Sequence, residues 1–421
     1  YERGLYIMSG KLLLKAMVFG AIAFTSTAVG FAANIQDTNS MDSVQQTVVT
    51  DEAKRDAVRS TWKDRTDVVV GIGQKTSEGT NSEVLNDFVY GRIPVTTTDR
   101  SKSTELKKLY VETLHPITQY DENAKRVVFV QGRIGYGGER IVSDKLENYL
   151  VPIMPAGVFM RYDHDKKKRE ALGVMANVGV GYRRLSEHEN AYVGVNLFYD
   201  HAFKDDNKRI SGGVEYVVGH NELHANIYQN VGSNNRKYKG IRSRSITWYD
   251  PDGLYPYGRD NDTSVYNYAK IDYENHYKTT ENVSASGFDI GYARTFKNAR
   301  WARVYADYYN WRGRSEVRVG YDKLRKREAI RGVKIGAELH ITPHLTLDAG
   351  YQTASHSLSG PYATLKYTIG TSKFAWLGGK HSESAITPAR SKMLDKVRRS
   401  DLVVHDVIQE RYDYGVTDVG L

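Results

Sequence analysis

Apolar and polar residues alternate one by one through residues 191–200, and this is the clearest pattern in the chain. The two resulting faces are Ala191, Val193, Val195, Leu197 and Tyr199 on one side and Tyr192, Gly194, Asn196, Phe198 and Asp200 on the other. Residues 209–216 repeat the pattern. A period of two residues predicts β-strands with one apolar and one polar face. Charged residues, Gly and Asn suit a water-filled lumen and the other face suits lipid, so the pattern predicts a transmembrane β-barrel.

Strands of this kind are expected from residue 126 to residue 370, which predicts an all-β fold with a twelve-stranded antiparallel transmembrane barrel. The approximate bounds are 126–134, 146–153, 156–163, 172–184, 190–203, 207–218, 222–232, 285–295, 300–309, 330–341, 345–354 and 362–370. Connections after even strands are short, as at Pro155, whereas those after odd strands are often longer, above all residues 232–284. Outer-membrane barrels keep short turns in the periplasm and long loops outside. Both ends of the barrel are therefore expected in the periplasm.

The segments that flank the barrel have other patterns. Residues 1–33 resemble a secretory signal peptide with a start at Met8, a short apolar core and small residues at its end. Residues 34–125 are polar and are expected to form a small periplasmic region, with short helices at 51–65 and Ser101–Leu114. Residues 371–421 are expected to hold a polar helix at 382–400, which lies in the lumen or in the periplasm, followed by an extended tail.

Composition narrows the class of protein. The mean hydropathy of -0.54 excludes a helical membrane protein, and 31 Tyr among 421 residues suit the aromatic girdles of a barrel. The absence of Cys excludes disulfides and thiolate sites. The net charge of +9 comes without a nucleic-acid motif, so no nucleic-acid partner is expected. The basic clusters Lys166–Arg169 and Lys323–Arg327 would meet anionic lipid headgroups, or they are solvated loop charges.

Charged residues on the polar faces are the candidate lumen wall. The residues that we expect to face the lumen are Arg161, Arg209, Glu215, Arg303, Asp307, Lys334, Glu338, Asp348 and Lys366. They would form a mixed-sign network that holds the wall, a lining that guides a transiting polypeptide, or both. Asp163-His164-Asp165 and Asp200-His201 would be candidates for an enzyme, but adjacent side chains on a strand point to opposite faces. No catalytic, cofactor or metal site is expected.

The long connection 232–284 is rich in aromatic residues and arginines. Tyr, Trp and Arg dominate the energetics of protein interfaces, so this loop is a candidate recognition surface. The proposed contact residues are Tyr238, Trp248, Tyr249, Tyr255 and Tyr257. In the alternative interpretation, which is slightly favoured, the loop folds over the barrel mouth and packs its own aromatic residues.

The chain resembles the intimin/invasin family, the inverse autotransporters. Six matching stretches occur in the family's order between Arg126 and Val404: NVGVGYRRL, YVGVNLFYDHAF, RISGGVEY, ASGFDI, ITPHLTLDAGY and RRSDLV. The resemblance implies a twelve-stranded outer-membrane barrel and a linker that threads the pore outward to a surface passenger. The sequence departs from that plan in three respects: it shows no passenger, no recognisable peptidoglycan-binding module, and a longer loop at 232–284.

The resemblance implies the function of an outer-membrane translocator and anchor for an adhesin, located in the bacterial outer membrane. A passengerless barrel that exports a separately encoded partner, and a plugged porin-like channel, are the alternatives. The implied partners are outer-membrane lipid and lipopolysaccharide, the barrel-assembly machinery, periplasmic chaperones, and a host-cell receptor or a separately encoded exported protein.

Overall fold

The computed structural model describes residues 61–87, 91–121, 123–150, 159–232, 235–242, 246–249, 268–312, 316–319, 322–326, 329–355, 358–370, 376–377 and 387–420. The predicted signal peptide and most of the predicted helix 51–65 lie outside these ranges, and residues 63–65 form a single 3-10 turn. The strands are β1 (Thr66–Asp87), β2 (Gly91–Pro116), β3 (Arg126–Leu150), β4 (Phe159–Leu185), β5 (Ala191–Ala202), β6 (Asn207–Val218), β7 (Asn221–Asn230), β8 (Asn235–Arg242), β9 (Ile246–Tyr249), β10 (Tyr268–Ser284), β11 (Ser286–Phe296), β12 (Ala299–Arg312), β13 (Glu316–Val319), β14 (Asp322–Lys326), β15 (Ile330–His340), β16 (Leu345–Gln352), β17 (Gly360–Thr368) and β18 (Val403–Gly420). The one described helix is α1 (Pro388–Ser391).

Twelve of these strands close into an antiparallel barrel, which confirms the predicted fold class. The order around the barrel is β1 to β7, then β11, β12, β15, β16 and β17. Closure comes from the pairing of β17 with β1, which runs from Asp67↔Thr368 to Gly73↔Tyr362. A closed barrel leaves no unpaired edge in the membrane, where an unsatisfied backbone group is costly.

The predicted start of the barrel at residue 126 is wrong, because β1 and β2 lie within the region that we expected to be periplasmic. The expected helix Ser101–Leu114 is part of β2. The expected strands 126–134 and 146–153 belong to the single strand β3, and 156–163 and 172–184 belong to the single strand β4. These strands continue past the barrel, where both faces are polar, so the alternation that marks a lipid-facing strand is lost there.

The connections that contain further strands all lie at one end of the barrel. The end that we call the turn end carries the connections 117–125, 186–190, 219–220, 297–298 and 341–344, together with the start of β1 and the end of β17. The opposite end, the loop end, carries the connections in which β8, β9, β10, β13 and β14 lie. The predicted short turn at Pro155 lies outside the described residues; the strands on either side of it, β3 and β4, pair up to Leu150↔Met160.

Side chains alternate between the outside and the lumen as predicted. Leu197 and Ile290 are about half exposed on the outer surface, whereas Asp200 and Arg209 are fully buried in the lumen. Along β6 every second residue from Asn207 to Val217 is buried. The outer face is therefore an apolar band around a charged interior, as in other membrane barrels.

Strands β1 to β4 extend beyond the barrel and form an external sheet with β18, β10, β8 and β9. In this sheet β1 pairs with β4, from Thr76↔Arg169 onward. Strand β3 leaves β2 after Tyr136 and pairs in parallel with β18 from Glu139. Gly138 lies at this change of partner with a φ of 73°. A Cβ at this position would lie 2.8 Å from the carbonyl oxygen of Leu402, so glycine meets both the left-handed backbone and the close approach.

The predicted helix 382–400 is wrong over most of its described length, because α1 covers one turn only. Thr387 caps this turn, since its Oγ1 accepts a hydrogen bond from the Arg390 N–H. The next residues are turns and extended chain. Ala389, Met393 and Val397 pack against Phe129 and other buried wall residues. Within the described residues no helix is long and apolar enough to cross a bilayer.

Candidate functional site

Residues 387–402, which we call the threaded segment, run through the barrel lumen from the turn end to the loop end. At the turn end, the Arg390 guanidinium donates two hydrogen bonds of 2.7 Å to the Glu189 carboxylate. Lys396 binds Asp67 near the start of β1. At the loop end, the carbonyl oxygen of Leu402 accepts a hydrogen bond of 2.8 Å from the Glu139 N–H. The segment therefore connects the two openings of the barrel.

The lower part of the threaded segment is held by a buried arginine of β4. Arg183 is fully buried and donates to the carbonyl oxygens of Met393 at 2.9 Å and Asp395 at 2.6 Å. The same guanidinium also binds Glu215 of β6, because its Nη2 donates a hydrogen bond of 2.9 Å to Glu215 Oε2. Lys392 donates to Glu222 at 2.6 Å. The two hydrogen bonds from Arg183 satisfy backbone carbonyl groups of the threaded segment. Buried carbonyl groups need such partners where the chain does not supply them itself.

Arg398 holds the middle of the threaded segment against β15. Its Nη1 donates to Glu338 Oε1 at 3.0 Å, and its guanidinium lies 4.5 Å from the centre of the Tyr305 ring. Glu338 also pairs with Arg303 of β12. The carbonyl oxygen of Arg398 accepts a hydrogen bond of 3.0 Å from Asn226 Nδ2. One carboxylate thus joins an arginine of the segment to an arginine of the wall.

Arg399 and the wall residue Arg209 share the carboxylate of Asp200. Arg399 donates at 2.7 and 2.6 Å to the two carboxylate oxygens, and Arg209 Nε donates at 2.9 Å. Asp200 and Arg209 are fully buried. Arg209 also donates to the carbonyl oxygen of Ser400 at 2.9 Å. Bidentate pairs of this kind fix geometry as well as energy.

The upper part of the threaded segment ends in two more polar contacts. Ser400 Oγ donates to Asp289 at 2.5 Å, and Asp289 also accepts from Tyr228 at 2.6 Å. Asp401 pairs with Arg133 and, at 2.8 Å, with Lys108. The sequence Arg398–Asp401 is thus matched residue by residue to charges and hydroxyls of the wall.

Beyond the barrel the chain continues as β18 between β3 and β10. The pairing with β3 is parallel, and the pairing with β10 is antiparallel. Glu410 accepts from Lys278 at 2.8 Å and lies 2.6 Å from His276. The His276 ring stacks on Tyr412 at 4.1 Å. Burial alone would raise the pKa of Glu410, but hydrogen bonds from Lys278, Tyr412 and His276 outweigh burial and lower the pKa to about 2.

The structure places most of the predicted lumen residues in the wall of the barrel. Arg209, Glu215, Arg303 and Glu338 belong to the networks around the threaded segment. The others border the space that the segment leaves open: Asp307, Lys334 and Asp348 line an upper cavity, and Lys366 lines a lower one. The ammonium group of Lys334 lies 4.7 Å from the centre of the Tyr362 ring.

Arg161 is the exception among the predicted lumen residues. It pairs with Val84 and Tyr149 in the external sheet, so it is not part of the barrel wall. The predicted strand 156–163 lies, from Phe159 on, in the part of β4 that extends beyond the barrel.

Several residues that hold the segment were missed by the sequence analysis. Arg183, Glu222, Asn226 and Asp289 lie on the polar face of their strands, and the same period-two pattern would have assigned them to the lumen. Asp200 was placed on the polar face, but it was not among the residues that we expected to face the lumen. No local sequence pattern shows which residue of the threaded segment each of these wall residues contacts.

The proposed loop contacts lie partly within the described chain. Tyr238 lies in β8, and Trp248 and Tyr249 lie in β9, next to β10. Tyr255 and Tyr257 lie outside the described residues. The role of all five residues in recognition stays a prediction.

The described residues contain no group of three or more metal-ligating side chains. His201 pairs with Asp206 at 3.0 Å in the exposed turn after β5. His164 contacts Asn81 in the external sheet. Neither histidine is joined to a nucleophile in a catalytic arrangement.

Comparison with known proteins gives one family. The family model "Inverse autotransporter, beta-domain" matches residues 145–401, more than half of the chain. No curated protein matches the chain. A barrel solved for "Unveiling the Mechanism Behind the in-meso Crystallization of Membrane Proteins" is 12% identical, covers 80% of this chain and 100% of that chain, and has a TM-score of 0.41.

Two autotransporter structures are also similar. The translocator domain of NalP from Neisseria meningitidis is 8% identical, covers 75% of this chain and 92% of that chain, and has a TM-score of 0.25. The beta domain of the Bordetella autotransporter BrkA is 10% identical, covers 70% of this chain and 99% of that chain, and has a TM-score of 0.22. These TM-scores are too low to support an argument. The family assignment therefore rests on the match to the family model.

Proposed function

Because the chain belongs to the inverse autotransporter family, we propose that its outer-membrane barrel exports the polypeptide attached to its own C-terminal segment and then anchors it. The observation that carries this proposal is the course of residues 387–420, which enter at the turn end, cross the lumen and continue outside as β18. The turn end faces the periplasm, because barrels keep their short turns there.

Charge matching along the threaded segment supports a fixed final position rather than free sliding. Shifting residues 396–402, the extended part of the segment, by one residue would move each side chain there to the opposite face. Arg398 and Arg399 would then lose Glu338 and Asp200, and buried charges without partners are strongly unfavourable. The barrel therefore stops its own chain at one register and holds it there.

We propose the role of an intimin/invasin-like adhesin for the assembly, with surface attachment supplied by the exported part. Export of a separately encoded protein is less well supported, because the threaded segment fills the centre of the lumen. Two cavities beside it in the described lumen have volumes of about 240 Å³ and 130 Å³. Cavities of that size hold water and small solutes, so a second polypeptide would have to displace the segment.

The proposal is tested with an epitope tag after Leu421, probed by antibody and by protease on intact cells. A tag in the turn Phe203–Asp206 reports the loop end, and a tag in the turn Gly219–His220 reports the turn end. We expect the C-terminal tag to be labelled on intact cells, as the tag at 203–206 is. If it is labelled only after permeabilisation, like the tag at 219–220, the segment does not emerge and the proposal is wrong.

A further inference from the structure

Two cavities lie in the described part of the lumen, beside the threaded segment. The upper one, of about 240 Å³, is bordered by Gln352 and Gly360 at the loop end. The lower one, of about 130 Å³, is bordered by Asp64 and Thr368 at the turn end. The cavities thus approach each other from the two openings of the barrel.

Both cavities are large and polar enough to hold water. One water molecule needs roughly 10–15 Å³ of such space. In the wall between the cavities, His224 Nδ1 is buried and has no hydrogen-bond partner among the described residues. Asp307 Oδ1 has no nearer described partner than His224 Nε2, at 3.6 Å. Buried polar atoms of this kind are normally hydrogen-bonded to water, which indicates a wet interior.

Arg398 and His224 border both cavities, and no other residue in the linings of the two does so. The Arg398 guanidinium is held by Glu338 on one side and by the face of Tyr305 on the other. About 19% of the side chain is exposed, which agrees with a group that faces open space rather than packed protein.

We propose that the lumen contains a second pathway, for water and small inorganic ions, which runs beside the threaded segment and is closed at Arg398. The pathway is lined by both signs of charge, including Lys334, Asp307, Arg303 and Lys366. Small cations and anions can both be accommodated by such a lining, because neither sign dominates. This pathway goes beyond export, but it rests on the same threaded position of residues 387–402 as the proposed function.

Ion conductance of the full chain in planar lipid bilayers tests the proposal. The wild-type barrel is expected to be closed, and Arg398→Ala is expected to conduct in steps of uniform size, because it joins the two cavities. Lys334→Ala is the control. It also removes a long positive side chain, but Lys334 lies on the wall, borders the upper cavity alone and stacks on Tyr305 and Tyr362, so this variant is expected to stay closed.

The proposal is overturned if Arg398→Ala stays closed although it folds, as judged by heat-dependent migration of the barrel on gels. It is also overturned if Lys334→Ala conducts equally, since that result would mean that the loss of any cation from the lumen opens the barrel. The proposal rests on the position of residues 387–402 in the lumen. Failure of export is seen as a C-terminal tag that stays unlabelled on intact cells, whereas failure of the pathway is seen as a labelled tag without conductance in Arg398→Ala, so the two failures are distinguishable.

A second variant tests the closure directly. The chain has no Cys, so Arg398→Cys provides a single thiol at the constriction. This variant is expected to conduct, and a cationic methanethiosulfonate reagent is expected to close it again by restoring a long positive side chain. Conductance that persists after complete labelling would contradict the assignment of Arg398 as the closing residue.

Discussion

At the scale of single residues, the interior of this barrel is organised by shared carboxylates. Asp200 joins Arg399 of the threaded segment to Arg209 of the wall, and Glu338 joins Arg398 to Arg303. Moving a charge out of water costs several kcal/mol, and the cost is recovered only with good geometry and further hydrogen bonds. Each of these carboxylates meets that condition with several donors.

Asp200→Asn is expected to lower the free energy of unfolding by about 3–5 kcal/mol, because it leaves two buried guanidinium groups without their anion. The measurement is urea unfolding of the barrel in detergent micelles, followed by Trp fluorescence. The control is Asp206→Asn, in the exposed turn after β5, which keeps a residue suited to the positive φ of 51° there. Its ion pair with Lys208 is exposed, so little change is expected. Equal effects of the two substitutions would contradict this account.

The sequence predicts which residues face the lumen better than it predicts which of them meet. The period of two assigns Arg209 and Glu215 to the polar face from local order alone. The contacts of Arg399 with Asp200 join residues that are 199 positions apart, and no local pattern encodes such a distance. Pairing in the lumen therefore became visible only in the folded chain.

At the scale of elements, the sequence fails where strands leave the membrane. Alternation marks β5 and β6 clearly, because lipid lies on one side of them and the lumen on the other. The outer halves of β1 to β4 have polar residues on both faces, as in the run from Thr96 to Lys102. A strand without an apolar face looks like a loop or a helix, which explains the missed strands β1 and β2.

The docking of β18 onto β10 is expected to weaken in acid. Glu410 has a pKa of about 2 in the folded chain, below its usual value of 4.5. A carboxylate with a lowered pKa contributes its full stabilisation above about pH 4.5, and this contribution is lost as the pH falls towards 2. Hydrogen exchange of the β18 amides, corrected for the intrinsic rate, measures the effect.

The matched variant for this prediction is Glu410→Gln, which removes the charge at every pH. We expect it to reduce protection of β18 at pH 6 and to equal the wild-type chain near pH 2. A difference between the two chains that does not change with pH would mean that the carboxylate charge does not hold β18.

At the scale of the whole molecule, the chain is a closed barrel that contains its own C-terminal segment. The number of strands was predicted correctly, but their assignment was not, since β1 and β2 replace two predicted strands within β3 and β4. The long connection 232–284 supplies β10, one of the two strands that enclose β18. The position of β10 depends on its pairing with β18, which lies more than a hundred residues later in the sequence. The sequence therefore predicted a loop at 232–284, but it did not predict that this loop pairs with the C-terminal strand.

The central claim is that residues 403–420 emerge at the loop end and pair with β10. Because the chain has no Cys, the most direct measurement is disulfide formation in the double variant Thr280→Cys/Ile408→Cys, with oxidant added to intact cells. These residues are direct partners across β10 and β18, and side chains of such partners lie close enough for a disulfide. We predict a cross-link in this variant and none in Thr280→Cys/Val407→Cys, in which the two side chains point to opposite faces of the sheet. No cross-link in the first variant, or equal cross-linking in both, would contradict the threaded structure.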